Sequence, residues 1–217
     1  MCQKIEWTGI IKFMTIILKA LFIVLLYLTV CYSQEDALSI LENAYKNIND
    51  VSGSFTQTSY IKDLNQTKQF KGRFYIKRDK IRWQYSGKFN QVIYLDKEAL
   101  TVYDKTKKQA IQSEFKAETY GQLPLALLSR MADLAKDFEV NLKSSDTLIL
   151  IPKSRMGNIK TVEVVVQNSD FPVRSIKVID GAGNRIKIDF YNVRINEGLS
   201  EAFFKFVPQH DDTVLKY

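Results

Sequence analysis

The chain is poor in the residues that usually carry chemistry: one histidine, two cysteines and four prolines in 217 residues. A single imidazole, His210, excludes a zinc site built from several histidines, and two thiols make neither a four-thiolate cluster nor a disulfide framework. The helical HExxH zinc motif, the GxSxG nucleophile elbow, the P-loop and the GxGxxG dinucleotide loop are all missing. His210 lies among polar residues close to the end of the chain and reads as a solvated side chain rather than a general base. What the chain does have is apolar surface: 46% apolar residues, 12% aromatic and 25% charged, with a net charge of +7. That balance fits neither a disordered nor a polytopic membrane protein, and the length suits one packed domain.

The longest apolar run extends from Ile16 to Val30, preceded by Lys12 and followed by Cys31-Tyr32-Ser33. It reads as a secretory signal over residues 1–33, cleaved before Gln34, with export to a periplasm; Met14 is a more ordinary start for such a signal than Met1. The run contains Lys19 and is marginal for a bilayer, which needs about 20 apolar residues. Leu28-Thr29-Val30-Cys31 approximates a lipobox, with Val30 bulkier than the usual residue before a lipidated cysteine. A retained anchor and a lipidated Cys31 stay open as alternatives. Removing residues 1–33 leaves 184 residues, takes both cysteines and lowers the net charge from +7 to +5. A cysteine-free exported chain is held by its core alone.

Residues 34–217 read as a single domain. Asp36 can cap a helix whose apolar residues Ala37, Leu38, Leu41, Ala44, Tyr45 and Ile48 share one face. From Gly53 the apolar period becomes two. Phe70, Gly72, Phe74 and Ile76 share a face, as do Ile81, Trp83 and Tyr85, then Val92 and Tyr94, then Leu100 and Val102. The connections Lys77-Arg78-Asp79-Lys80, Ser86-Gly87-Lys88, Asp96-Lys97-Glu98 and Asp104-Lys105-Thr106-Lys107 are polar, which makes neighbouring strands antiparallel. Leu123 to Phe138, with Pro124 in its first turn, predicts a second helix. Strands resume at Val140–Leu142, Leu148–Ile151, Thr161–Val166, Val173–Ile179 and Arg185–Tyr191, the last two joined by the turn Asp180-Gly181-Ala182-Gly183-Asn184. The expected architecture is mainly β with helices (α+β): about 11 consecutive antiparallel strands in a sheet that must curl, its concavity plugged by helices or a ligand. The basic and aromatic residues from Lys71 to Arg82 fall at hairpin and outward positions and read as a solvated face, with no nucleic-acid partner expected.

Several pieces, in order, resemble the LolA family, periplasmic carriers of outer-membrane lipoproteins. They are Ser54-Phe55-Thr56-Gln57, Gly72-Arg73-Phe74-Tyr75-Ile76-Lys77-Arg78, Ile81-Arg82-Trp83-Gln84-Tyr85, and Asp96 followed by Leu100 and Tyr103-Asp104. Leu150-Ile151-Pro152-Lys153 with Asn158-Ile159-Lys160 resembles the family's later hairpin, and Phe203-Phe204-Lys205-Phe206-Val207-Pro208 its C-terminal strand. The chain departs from the pattern at Asp79, where the family has proline, at Lys97, where it has glycine, and at Thr101 and Val102, ahead of the tyrosine.

The resemblance implies an unclosed barrel whose apolar concave face is covered by helices acting as a lid. It implies a lid-closing role for Arg78, with an ion pair to the adjacent Asp79 as the local alternative. Phe55, Phe74, Ile81 and Trp83 are expected to line an acyl-chain cavity, with Leu125, Leu128 and Met131 on the lid side; plain core packing is the competing reading of each. The implied function is a monomeric, non-enzymatic carrier without cofactor or metal. Its cargo would be acylated lipoproteins, its partners an inner-membrane lipoprotein-release transporter and an outer-membrane acceptor. Two rival readings are a membrane-tethered or lipidated receptor or sensor of the same fold, and a hydrolase of lipid esters.

Overall fold

The computed structural model describes residues 36–97, 99–115, 127–128, 131 and 134–217. Helix α1 (Ala37–Lys46) starts where the side chain of Asp36 accepts the Ser39 amide at 2.8 Å. The 3.6-residue period turns Ala37 and Leu41 inward, and Leu38, Ile40, Tyr45 and Ile48 pack at the edge of the same core. Twelve strands follow: β1 (Asp50–Ile61), β2 (Gln66–Lys77), β3 (Lys80–Tyr85), β4 (Gln91–Leu95), β5 (Ala99–Asp104), β6 (Gln109–Glu114), β7 (Phe138–Ser144), β8 (Thr147–Pro152), β9 (Ile159–Val166), β10 (Val173–Asp180), β11 (Arg185–Ile195) and β12 (Thr213–Lys216). A short helix, α2 (Leu134–Asp137), precedes β7.

The strands form one sheet in the order β12-β6-β5-β4-β3-β2-β1-β11-β10-β9-β8-β7. The polar turns make all consecutive pairs antiparallel, and the closing contact of the chain lies between β1 and β11, far apart in sequence and paired from Val51↔Ile195 to Tyr60↔Arg185. Leu100 of β5 and Val162 of β9, on opposite arms of the sheet, belong to one buried cluster. The sheet therefore curls around a single core, and because β12 and β7 do not pair with each other the barrel stays unclosed.

Two expectations need correction. The C-terminal strand expected at Phe203–Pro208 is absent: Glu201–Phe204 is a 3-10 turn, and the last strand is β12, which runs parallel to β6 from Thr213↔Gln109 to Lys216↔Gln112. Phe203 and Phe206 are used as side chains against the sheet instead of as ladder residues. Phe138 opens β7 rather than ending a helix, so the predicted Leu123–Phe138 helix is too long at its C-terminal end. Val92 and Tyr94 share a face as expected, and it is the outer one. The register sets Ile93 opposite Trp83 and Leu95 opposite Ile81, which gives Ile93 and Leu95 the inner face.

The outer face over β2–β6 has its own apolar layer, because the segment from Leu199 to Asp212 lies across it. Lys77 donates to the Leu199 carbonyl, and Lys80 pairs with Glu201. The Arg82 guanidinium sits 4.2 Å from the Phe203 ring and 5.4 Å from Tyr94, donating at 3.2 Å to the Phe203 carbonyl. Phe206 packs on Tyr103 (5.0 Å) and Tyr94 (5.9 Å), and the Tyr103 hydroxyl donates to Asp212 at 2.7 Å. Val92 and Ala110 are buried beneath this strap and lie outside the inner cluster. The strap is anchored at its start by Asp50, whose buried carboxylate accepts the amides of Glu197, Gly198 and Leu199 at 2.8, 3.0 and 3.1 Å.

Candidate lipid-binding face

The inner face is built around two glycines that make room for rings. In the β1–β2 register Gly53 lies opposite Phe74 and Phe55 opposite Gly72. A Cβ added at Gly72 would fall 2.1 Å from the Gln84 carbonyl oxygen and 2.7 Å from the Phe55 ring; one at Gly53 would meet the Phe74 ring at 2.7 Å. The missing side chains let both phenylalanines lie flat over β1 and β2. Phe55 then stacks on Trp83 at 3.8 Å, and Phe74 packs on Trp83 at 5.9 Å and on Phe190 at 5.1 Å. Ile81 adjoins them through its pairing with Ile76. Phe55, Phe74, Ile81 and Trp83 are all fully buried in the single inner cluster.

Opposite them, Leu127, Leu128, Met131 and Leu134 are each 0% exposed and belong to the same cluster. Leu128 and Met131 are expected on this side, and Leu127 and Leu134 join them in the buried cluster. Leu125, the third lid-side residue expected, lies outside the described residues. The structure thus brings Phe55, Phe74, Ile81, Trp83, Leu128 and Met131 into one apolar body. Sequence reasoning missed Phe190 and Phe171, which come from strands and turns late in the chain and reach Phe74 across β1 and β11.

Among the described residues three buried polar atoms lack a hydrogen-bond partner: the Tyr45 hydroxyl, Arg82 Nε and the Trp83 indole N–H. Nearby polar groups are otherwise paired. The Tyr85 hydroxyl donates to Gln57 Oε1 at 2.9 Å, and Gln57 Nε2 donates to Ser59 Oγ at 3.0 Å. Burial pushes the Tyr85 and Tyr45 phenols up, so both stay neutral donors at ordinary pH. Phe70, Tyr85 and Phe89 form an aromatic triangle with centroid separations of 5.8, 5.2 and 5.1 Å at the rim, where Phe89 is 41% exposed.

Arg78 occupies the two-residue turn between β2 and β3 with φ 53, in the left-handed region. Its guanidinium is exposed, and among the described residues no hydrogen bond or ion pair reaches it. The alternative pairing with Asp79 is not made: Asp79 pairs with Lys97 at 3.1 Å. Two of the positions where the chain departs from the family pattern, Asp79 and Lys97, therefore pair across adjacent turns. Arg78 borders an open groove of about 380 Å³ shared with Lys77, Asp79, Lys80, Asp96, Lys97 and Glu201. It also borders a smaller cavity of about 110 Å³, to which Tyr45, Ile48, Asn49, Asp50, Val51, Ile76 and Leu128 contribute. Among the described residues no cluster of His, Cys, Asp or Glu is placed to hold a metal ion, and no helix is long and apolar enough to cross a membrane. His210 is exposed in a turn.

The profile of the family described as outer membrane lipoprotein carrier protein LolA matches residues 46–207. An outer-membrane lipoprotein carrier protein of Halorhodospira halophila is 31% identical over 191 residues, covering 87% of this chain and 89% of that protein. One of Neisseria meningitidis is 27% identical over 195 residues, covering 88% and 92%. Among solved structures, an uncharacterised conserved protein of Thermus thermophilus aligns with a TM-score of 0.51 at 13% identity over 83% of this chain and 97% of that one, which shows a shared fold.

Proposed function

This chain belongs to the LolA family, and from that premise we propose that it is a periplasmic carrier that takes the acyl chains of lipoproteins into its inner face and moves them from the inner to the outer membrane. The observation that carries this reading is the composition of the buried face, where aromatic and aliphatic side chains from the sheet meet four apolar lid-side residues, each fully buried. In water one acyl chain leaves on the order of 10 kcal/mol of apolar surface exposed, at ~0.8 kcal/mol per CH2. Burying Leu127, Leu128, Met131 and Leu134 is worth roughly 6–12 kcal/mol at 1.5–3 kcal/mol per side chain. The two are comparable, so an acyl chain can replace the lid against the sheet in a nearly balanced exchange. Such balance lets a carrier both accept and release its cargo. No covalent step enters, so no catalytic set is required.

In this reading Phe55, Phe74, Ile81 and Trp83 contact the chain, and Leu128 and Met131 withdraw. Arg78 lines the mouth of the small cavity together with Leu128, and from that place it acts on the lid side. Residues 1–33 direct export and are removed, and the partners are an inner-membrane lipoprotein-release transporter and an outer-membrane acceptor. The test is native mass spectrometry of the protein taken from the periplasm, with Leu128→Glu beside the unaltered chain. Acylated species riding on the unaltered protein are expected; none on either form would sink the carrier reading. The intact mass separates the tethered alternative: a chain beginning at Gln34 supports the carrier, and a diacylated Cys31 supports a membrane-bound receptor.

A further inference from the structure

The tip of the β1–β2 hairpin carries a motif that the acyl-binding face does not use. In Asp63-Leu64-Asn65-Gln66-Thr67 a hydroxyl follows an asparagine by two residues with no proline between them, the acceptor pattern for N-linked glycosylation of exported chains. Of the eleven asparagines in the chain, Asn65 alone is followed in this way. So short a pattern also arises by accident, and the surroundings of Asn65 separate the two cases.

Residues 62–69 are all exposed, and Asn65 ends the four-residue turn between Ile61 and Gln66. Its backbone has φ 46, a left-handed conformation that asparagine tolerates, and its amide closes the turn on the Lys62 carbonyl at 3.0 Å. The Tyr60 hydroxyl donates to Asn65 Oδ1 at 3.2 Å, and among the described residues nothing accepts from Nδ2, the nitrogen that reacts in glycosylation. Asp63 has no partner among them either, which leaves an exposed carboxylate by which an enzyme can grip the turn.

The tip can be lifted without disturbing the sheet. β2 pairs with β3 only from Gly72↔Tyr85 onward, so Gln66 to Phe70 are held by the β1 ladder alone. Presenting Asn65 to Thr67 to an enzyme breaks only the last two pairings, Ile61↔Gln66 and Tyr60↔Thr67, and hairpin ends of this kind open at low free-energy cost. The Lys62 amide donates to Asn184 Oδ1 at 3.0 Å, which keeps β1 docked while β2 lifts. Position makes the modification compatible with transport. β2 runs from Gln66 to Lys77, roughly 36 Å at ~3.3 Å per residue, and the turn holding Arg78 lies at its far end. A sugar on Asn65 is thus remote from the mouth lined by Arg78 and Leu128, and it covers Leu64, 60% exposed at the tip.

We infer that Asn65 is a site of N-linked glycosylation, modified after export by an oligosaccharyl transferase that draws its sugar from a lipid diphosphate carrier. Asn65 Nδ2 forms a bond to the anomeric carbon as the bond from that carbon to the diphosphate oxygen breaks. The diphosphate leaves with the electron pair, and one amide proton passes to a base of the transferase. The inference rests on the export part of the proposed function and adds a modification to it.

The experiment is intact-mass and peptide mass spectrometry of the protein purified from the periplasm of the cells that make it, beside Asn65→Asp, Thr67→Val and Thr67→Ser produced in the same cells. A glycan mass on the peptide containing Asn65 is expected in the unaltered chain and in Thr67→Ser, with complete loss in Asn65→Asp and Thr67→Val. Unmodified Asn65 in the periplasmic protein, or a glycan that survives Thr67→Val, overturns the inference and leaves the carrier reading standing. Unmodified protein found only in the cytosol overturns both.

Discussion

Leu128 is the side chain at which competition between lid and cargo can be measured. It is 0% exposed in the inner cluster and borders the small cavity. Leu128→Ala removes three carbons. Their transfer free energy, about 2 kcal/mol at ~0.8 per carbon, is lost whether the side chain lies on the sheet or on an acyl chain. The void left behind differs between the two states. A packed lid relaxes only in part, whereas a fluid acyl chain refills the space, so a cavity term of about 1–2 kcal/mol falls on the empty, closed state alone. Acyl affinity should therefore rise about 5- to 30-fold even as the protein becomes less stable. The assay is titration with a single-chain acylated peptide followed by tryptophan emission, because Trp83 is the sole tryptophan after residue 33 and stacks on Phe55 in the face being exchanged. Val92→Ala is the control: Val92 is equally buried but lies under the outer strap, so its loss should lower the urea midpoint without changing affinity. If Leu128→Ala weakens acyl binding, or leaves it unchanged while stability falls, closure does not compete with occupancy and the exchange argument fails.

Gly72→Ala should cost about 3 kcal/mol or more, because its Cβ falls on the Gln84 carbonyl oxygen and the Phe55 ring, while Gly87→Ala, at φ 79 with open space around it, should cost about 1 kcal/mol. Equal urea midpoints for the two variants would contradict the ring-over-glycine packing. The Glu163 carboxyl is held below the usual glutamate range by hydrogen bonds from Lys143 (3.0 Å) and Lys177 (3.3 Å). A depressed folded-state pKa contributes stability above the unfolded value and loses it as the pH falls through the folded one, so this contribution, at most about 1 kcal/mol for a largely solvated triad, should fade below about pH 4.5. In Glu163→Gln the acid limb of the stability curve should flatten there; an unchanged limb would remove the triad from the acid response.

The parts of the fold legible in the sequence are those specified by local periodicity. Asp36 marks a helix start because its side chain is the cap, and the strands from β1 to β5 show because one apolar face repeats at period two with polar turns between. The pairing of β1 with β11 is invisible in this way, since nothing near Val51 points to Ile195. The strand at Phe203–Pro208 is expected from the family resemblance alone, and the sequence does not show the target of these rings, which is a sandwich around Arg82 and a stack on Tyr103. The inner site was half legible for the same reason. Phe74, Ile81 and Trp83 alternate with charged or polar neighbours, whereas Phe171 and Phe190 reach Phe74 only through pairings distant in sequence.

The outer strap bears on how such a carrier could work without unfolding. A sheet that gives up its lid loses the apolar cover of one face, and a curled sheet with two free edges would then be held mainly by its ladders. Here the opposite face keeps a second, independent layer. Asp50 fixes the beginning of the strap through three amides, Arg82 fixes its middle between Phe203 and Tyr94, and β12 ties its end to the edge strand β6. None of these residues belongs to the inner cluster, so the proposed exchange of lid for acyl chain would leave those contacts in place. In the proposed exchange, the segment that the family resemblance assigns to one more strand is what lets the inner face be vacated. It holds β2 to β6 together from outside while the inside changes partner.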